Sequence, residues 1–157
     1  MKYFLIIVIL TLTFCVNSFS ETTQLKSFTE ILDALTKGEK VNAVIHYADC
    51  KLTADGKESK SPDEIAGMQM LPFEYYAAGV ITKRGFISSS ETVRVYLAGF
   101  NGFVDNYMKV RIYDDNTVEV TVKFLTTDKL EVQSDKLYTG EVNDGTSGKG
   151  VYFYKDM

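Results

Sequence analysis

The chain has 157 residues, 45 % hydrophobic and 24 % charged, with a formal net charge of −4 at pH 7 and a pI near 5.0. That length supports one ordinary core. The acidic balance, with no basic cluster longer than Lys83-Arg84, argues against nucleic acid or an anionic membrane surface as partner.

Lys2 precedes an apolar run that begins at Tyr3 and continues, interrupted only by threonines, to Phe14, Cys15 and Val16. Ser18 and Ser20 then supply the small side chains required just before a cut after Ser20, the pattern of a cleavable secretory signal. The run falls short of the ~20 apolar residues that span a bilayer and ends in Asn17 and Ser18, which favours a signal over a retained anchor. Cleavage as a lipoprotein before Cys15 would place Phe14 where a small residue is needed. The expected organisation is therefore a signal peptide over residues 1–20 and a single β-rich domain over 21–157, secreted or periplasmic, with no stable membrane insertion after cleavage. Losing Lys2 and no acid moves the charge from −4 to −5. Cys15 departs with the signal, so Cys50 keeps no intramolecular partner and the fold rests on packing alone.

The first element of the mature chain reads as a helix. Ser27 and Glu30 form a capping box, Phe28, Ile31, Leu32 and Leu35 make one apolar stripe, and Gly38 supplies the stop. Residues 41–47 alternate as a strand with Val41, Ala43, Ile45 and Tyr47 on one face. Residues 55–61 have loop composition, and Ser61-Pro62-Asp63-Glu64 repeats the capping-box logic, predicting a one-turn helix that Gly67 ends. From Phe73 onward the period is two. Its clearest case runs through Met108, Val110 and Ile112, turns at Asp114-Asp115-Asn116, and returns through Val118, Val120, Val122 and Phe124, with charged or hydroxyl residues between. Further strands are expected over 73–81, 86–89, 93–97, 129–139 and 150–154.

One wet face and one dry face mark antiparallel strands packed on a core from one side. The expected fold class is α+β, mainly antiparallel β, with the N-terminal helix packed on a strongly curved sheet or a small β-barrel. Barrel closure would remove every unpaired edge.

His46, Asp49 and Cys50 are the residues that invite a chemical reading. On one strand, His46 and Cys50 would stand roughly 13 Å apart at Cα, whereas a nucleophile and its base need ~3 Å between reacting atoms. The three stay candidates for ligand binding and are not expected to be catalytic. One His and one Cys cannot make a tetrahedral zinc set without distant carboxylates, and neither a metal nor another cofactor is expected. Cys50 shares a strand side with Val44 and Ala48, which predicts a buried, inert thiol and a monomer. The stretch from Asp144 to Gly150 resembles a phosphate loop only superficially, since two residues separate Gly145 from Gly148 and Gly150 follows Lys149; a hairpin turn is the better reading. Tyr75, Tyr76, Tyr96, Tyr113, Tyr138, Tyr152 and Tyr154 fall in strand segments, where most should pack and a minority face a ligand.

Ile31-Leu32-Asp33-Ala34-Leu35 with Gly38, followed by residues 41–47 leading into Asp49-Cys50, resembles the opening of the VirK family of small exported proteins. Gly67 before Phe73-Glu74-Tyr75, the Lys83-Arg84-Gly85 turn before Phe86-Ile87-Ser88, the hairpin over 108–124 and the closing Gly148-Lys149-Gly150-Val151-Tyr152-Phe153 extend the resemblance over nearly all of the mature chain. His46 stands where the family is expected to carry an aspartate. The resemblance implies an exported, virulence-associated protein and brings no catalytic residue with it.

Two function classes follow. The preferred one is a secreted or periplasmic non-catalytic binding module whose partner is a protein or a small apolar ligand, because no workable set of acid, base, nucleophile or metal ligands is legible. The other is a small exported hydrolase or isomerase using carboxylates from separate strands; a cleft holding two carboxylates with divergent pKa values would mark it.

Overall fold

The computed structural model describes residues 22–146, 148 and 150–156, so the expected signal peptide lies outside the described residues. A short strand β1 (Thr22–Leu25) leads into the one α-helix among the described residues, α1 (Phe28–Thr36). Ser27 Oγ accepts from the Glu30 amide at 3.3 Å, while the Glu30 carboxylate reaches back to the Lys26 amide at 2.7 Å. The first satisfies one of the N–H groups that a helix start leaves unpaired, and the second fastens the chain just ahead of the cap. Gly38 ends the helix with φ +77°, a conformation a side chain would resist. Phe28, Ile31, Ala34 and Leu35 are buried, as the apolar stripe requires.

Ten further strands follow: β2 (Val41–His46), β3 (Lys51–Ala54), β4 (Lys57–Ser59), β5 (Ile65–Gln69), β6 (Phe73–Tyr76), β7 (Phe86–Leu97), β8 (Gly102–Tyr113), β9 (Thr117–Thr126), β10 (Val132–Glu141) and β11 (Val151–Asp156). A four-stranded sheet has the order β1-β11-β2-β5, and a seven-stranded sheet the order β4-β3-β10-β9-β8-β7-β6. Every strand pairing in both is antiparallel. The two sheets face each other across a single cluster that takes Val41, Ala43, Ile45, Val151 and Phe153 from the small sheet and Val110, Ile112, Val118 and Val120 from the large one. The buried face of α1 belongs to the same cluster, so the helix packs on the inner side of the small sheet. Its first turn is tied to the large sheet, because the Phe28 amide donates to Asn116 Oδ1 at 2.7 Å.

The antiparallel, helix-bearing class therefore holds, but the barrel does not. Both sheets are open, with β1 and β5 as the edges of one and β4 and β6 as the edges of the other. Several element assignments also change: the strand expected over 73–81 ends at Tyr76, and β1 and β3 are strands that no local pattern marked. Residues 61–67 form no helix: the chain enters β5, which pairs with β2 from His46↔Ile65 to Asn42↔Gln69. A one-turn helix has almost no stability of its own, so its caps lose to a strand ladder. Within the expected loop 55–61 lies a tight hairpin, its turn formed by Asp55 at φ +48° and Gly56 at φ +77°, the positive pair that a two-residue turn of the right twist demands. Finally, the two strands expected over 86–89 and 93–97 are one strand, β7, paired with β8 along its whole length.

Candidate functional site

The chain turns sharply at the end of β2, and that turn decides the fate of the three candidate residues. His46 closes the strand on the outward side of the small sheet, its ring centroid 4.9 Å from that of Tyr152. Residues Tyr47–Asp49 then make a 3-10 turn, which leaves Asp49 exposed and swings Cys50 inward to 6 % exposure. The thiol is buried as expected, though not with Val44 and Ala48. It joins the inner cluster, since the turn breaks the strand's alternation. Its S–H donates to the His46 backbone carbonyl at 3.5 Å and does not meet the imidazole. Gly140 and Gly150 flank the sulfur: a Cβ on Gly140 would stand 3.1 Å from it, and one on Gly150 would overlap it. Burial, with the neighbouring Asp49 charge adding to it, pushes the thiol pKa up to about 11. The group stays protonated at neutral pH, the opposite of what an attacking thiolate needs.

Beside this turn lies an open groove of about 810 Å³ between β3–β4 and residues 60–63. Lys51 and Glu58 pair across β3–β4 at 2.9 Å, and the Ser61 hydroxyl donates to the Cys50 carbonyl at 2.5 Å. Inside the turn, Tyr47 packs against Tyr138 at a tilt of 34° with centroids 4.2 Å apart and donates its hydroxyl to Met108 Sδ at 3.8 Å. Burial raises both phenol pKa values. These are packing contacts.

No group of three or more His, Cys, Asp or Glu side chains among the described residues is placed to hold a metal. Asp105 is held below the usual carboxylate range by its hydrogen bonds with Arg94, and Asp115 falls to about 2 through the Thr117 hydroxyl and Arg84. Both shifts favour the ionised form, whereas a general acid needs its proton retained.

The other end of the large sheet has a different character. The core cluster reaches Ile87 on β7, Met108 on β8 and Val122 on β9; beyond it the strands continue, with Val104 and Asp105 of β8 buried outside that cluster. Val93, Tyr96, Phe100, Phe103, Leu130 and Val132 at that end are each between 41 % and 63 % exposed. Tyr96 meets Phe103 edge-on at 5.5 Å, Phe100 meets Phe124 edge-on at 5.7 Å, and Arg94 clamps Asp105 through bonds of 2.8 and 3.1 Å. Asn106 Oδ1 is buried there with no hydrogen-bond partner, opposite Val93 and Phe124 in the register. Along β7, β6 covers only Phe86 to Ser89. Residues 90–97 have β8 on one side and, among the described residues, no strand on the other. The sequence marked Tyr96 as a possible contact, but the open edge depends on how short β6 is, which no local pattern reveals.

The architecture is thus an open two-sheet antiparallel assembly with one inner helix. A scan of protein-family models matches the VirK protein family over residues 24–130, and the chain belongs to that family. Among solved structures it is similar to a VirK family protein from Legionella pneumophila, with a TM-score of 0.63 and 16 % identity, covering 83 % of this chain and 97 % of that one. At that identity the likeness shows the fold alone. A search of curated proteins finds no match.

Proposed function

We propose that this VirK family member is an exported, non-catalytic binding module that engages a partner protein through the far end of its large sheet. Export rests on the apolar N-terminal run and on Ser18 and Ser20. The observation that carries the binding reading is the coincidence of an open strand edge over residues 90–97 with exposed apolar side chains on both faces beside it, Tyr96 and Phe103 on one and Val93 on the other. Exposed apolar patches of this kind are what interaction sites are made of. Lipid would accept the side chains but leave the edge N–H and C=O groups without partners, and a small apolar ligand would do the same. A strand added by a protein satisfies both.

The test is a photo-crosslinking residue placed at Tyr96, with a second at Thr121 on the outward face of β9 as control, in protein exported by its own cells. The reading expects protein adducts at position 96 and few at 121. Equal yields at the two positions, or none at 96, would refute it.

A further inference from the structure

The outward face of the small sheet carries a second arrangement with its own chemistry. Register places Gln24, Tyr154, Asn42 and Gln69 abreast on β1, β11, β2 and β5. The next rank holds Tyr152, Val44 and Gly67, and the third sets His46 opposite Ile65. These residues alternate with the buried set Val41, Ala43, Ile45, Val151 and Phe153, and α1 lies on the opposite side; on this face Gln69 and Ile65 are exposed, and Gln24, Asn42, His46, Tyr152 and Tyr154 are half-buried. The rings of Tyr152 and Tyr154 are parallel to within 3°, their centroids 6.3 Å apart, with the His46 ring beside Tyr152. Gly67 leaves a gap of one side chain next to Val44. Gln24 Nε2 donates to the Asn143 carbonyl and to its Oδ1 at 3.0 and 3.1 Å, which fixes the amide's orientation. None of the three ranks contains Lys, Arg, Asp or Glu.

We propose that this face is a binding site for neutral glycan chains built of pyranose rings. A pyranose presents a C–H face and a rim of hydroxyls. The C–H face packs on tyrosine rings, and hydroxyls need groups that both donate and accept, which asparagine and glutamine amides do. Tyr152 and Tyr154 stack as a pair, so a sugar packs against the outer flank of the pair, and an extended chain reaches past it to the amides of the neighbouring rank. Gln24 and Asn42 stand on either side of Tyr154, where a stacked sugar would place its hydroxyls; Gln24, whose N–H groups go to Asn143, offers its carbonyl oxygen as acceptor, and Asn42 supplies the amide that can also donate. A charged polymer would find no counter-charge in these ranks. A peptide strand would find no free backbone either, because Tyr152, Tyr154 and His46 lie on the two inner strands of the sheet. Fully paired strands hold the rings in place before binding, which lowers the ordering cost that weak sugar contacts must overcome.

The test is calorimetric and NMR titration of the purified protein with cellohexaose, chitohexaose and maltohexaose, and with an oligogalacturonate as the anionic comparison. The expected result is saturable binding of at least one neutral hexamer, with shifts at Tyr152, Tyr154 and Asn42. Tyr152→Ala and Tyr154→Ala should each weaken it about threefold to tenfold, the scale of one lost stacking contact, while Tyr152→Phe keeps most of it. Because these side chains lie outside the core, the variants should melt with the parent, and Gln69→Ala offers a milder probe of the same face. Absence of binding to every neutral hexamer at millimolar concentration, binding unchanged in both alanine variants, or binding of the oligogalacturonate alone would overturn the proposal. Val93→Lys, at the far end of the other sheet, should leave sugar binding intact, so the two surfaces stand or fall separately.

Discussion

Gly150→Ala should destabilise the protein through one atom. The new methyl group would overlap Cys50 Sγ and stand 3.3 Å from the Asp49 carbonyl oxygen. Cys50 is 6 % exposed and closed in on its other side by Gly140, so the sulfur has little room to retreat. Overpacking of this kind costs about 1–3 kcal/mol, and the completeness of the overlap puts Gly150→Ala toward the upper end. For a domain of this size that lowers Tm by roughly 5–10 °C. Cys50→Ala alone should cost about 1 kcal/mol for its lost contacts. In the double variant the methyl occupies the space left by sulfur, so it should be more stable than Gly150→Ala alone, with only the Asp49 carbonyl contact left to relax. Circular dichroism melts and denaturant titrations of the four proteins complete the cycle. Gly150→Ala as stable as the parent, or a double variant no better than Gly150→Ala, would refute the packing of Cys50 between the two glycines.

Three further outcomes follow. Val120→Asp should unfold the protein and Thr121→Asp should not, because Val120 is 1 % exposed and Thr121 is on the outward face; an unpaired buried carboxylate costs several kcal/mol or neutralises itself, and melting both variants decides the matter. The raised thiol pKa has a definite sign: folding favours the protonated form, so Cys50 contributes its full share below the unfolded thiol range and loses it as pH rises toward about 11. The parent should therefore lose about 2 kcal/mol more than Cys50→Ala between neutral pH and that point, measured by denaturation across pH, and native protein should resist iodoacetamide at neutral pH until denaturant is added. Asn116→Ala should cost about 1–2 kcal/mol, since Oδ1 holds the Phe28 amide and Asn116 itself sits at φ +65°; denaturant midpoints report it.

How much was legible in the sequence varied with how far each segment's surroundings matched its pattern. The helix stripe from Phe28 to Leu35 and the alternation from Met108 to Phe124 were legible because each packs one face on the core, and burial writes that period directly. The Lys57–Ser59 strand was not, since all three side chains are exposed; its signal was the Asp55-Gly56 turn. Ser61 and Pro62 mimic a helix start locally, and only the pairing with β2 reveals otherwise. The polar middle of β7 reads as a break because that stretch leaves the core while its backbone stays paired with β8. The candidate residues divide in the same way. A buried Cys50 followed from its chemistry, but its direction came from a 3-10 turn with no apolar period. Tyr152 and Tyr154 were legible as strand tyrosines, while their shared rank with Gln24 and Asn42 exists only through the register of separate strands.

The binding reading stands most directly on the open edge of β7, and amide hydrogen exchange reads that edge residue by residue. In the isolated protein, alternate amides among residues 90–97 should exchange rapidly because nothing covers them on the side away from β8, while those facing β8 stay protected. With the protein partner crosslinked at position 96 present, the rapid set should become protected too. Uniform protection of residues 90–97 in the isolated protein, or rapid exchange that the partner leaves unchanged, would contradict the account.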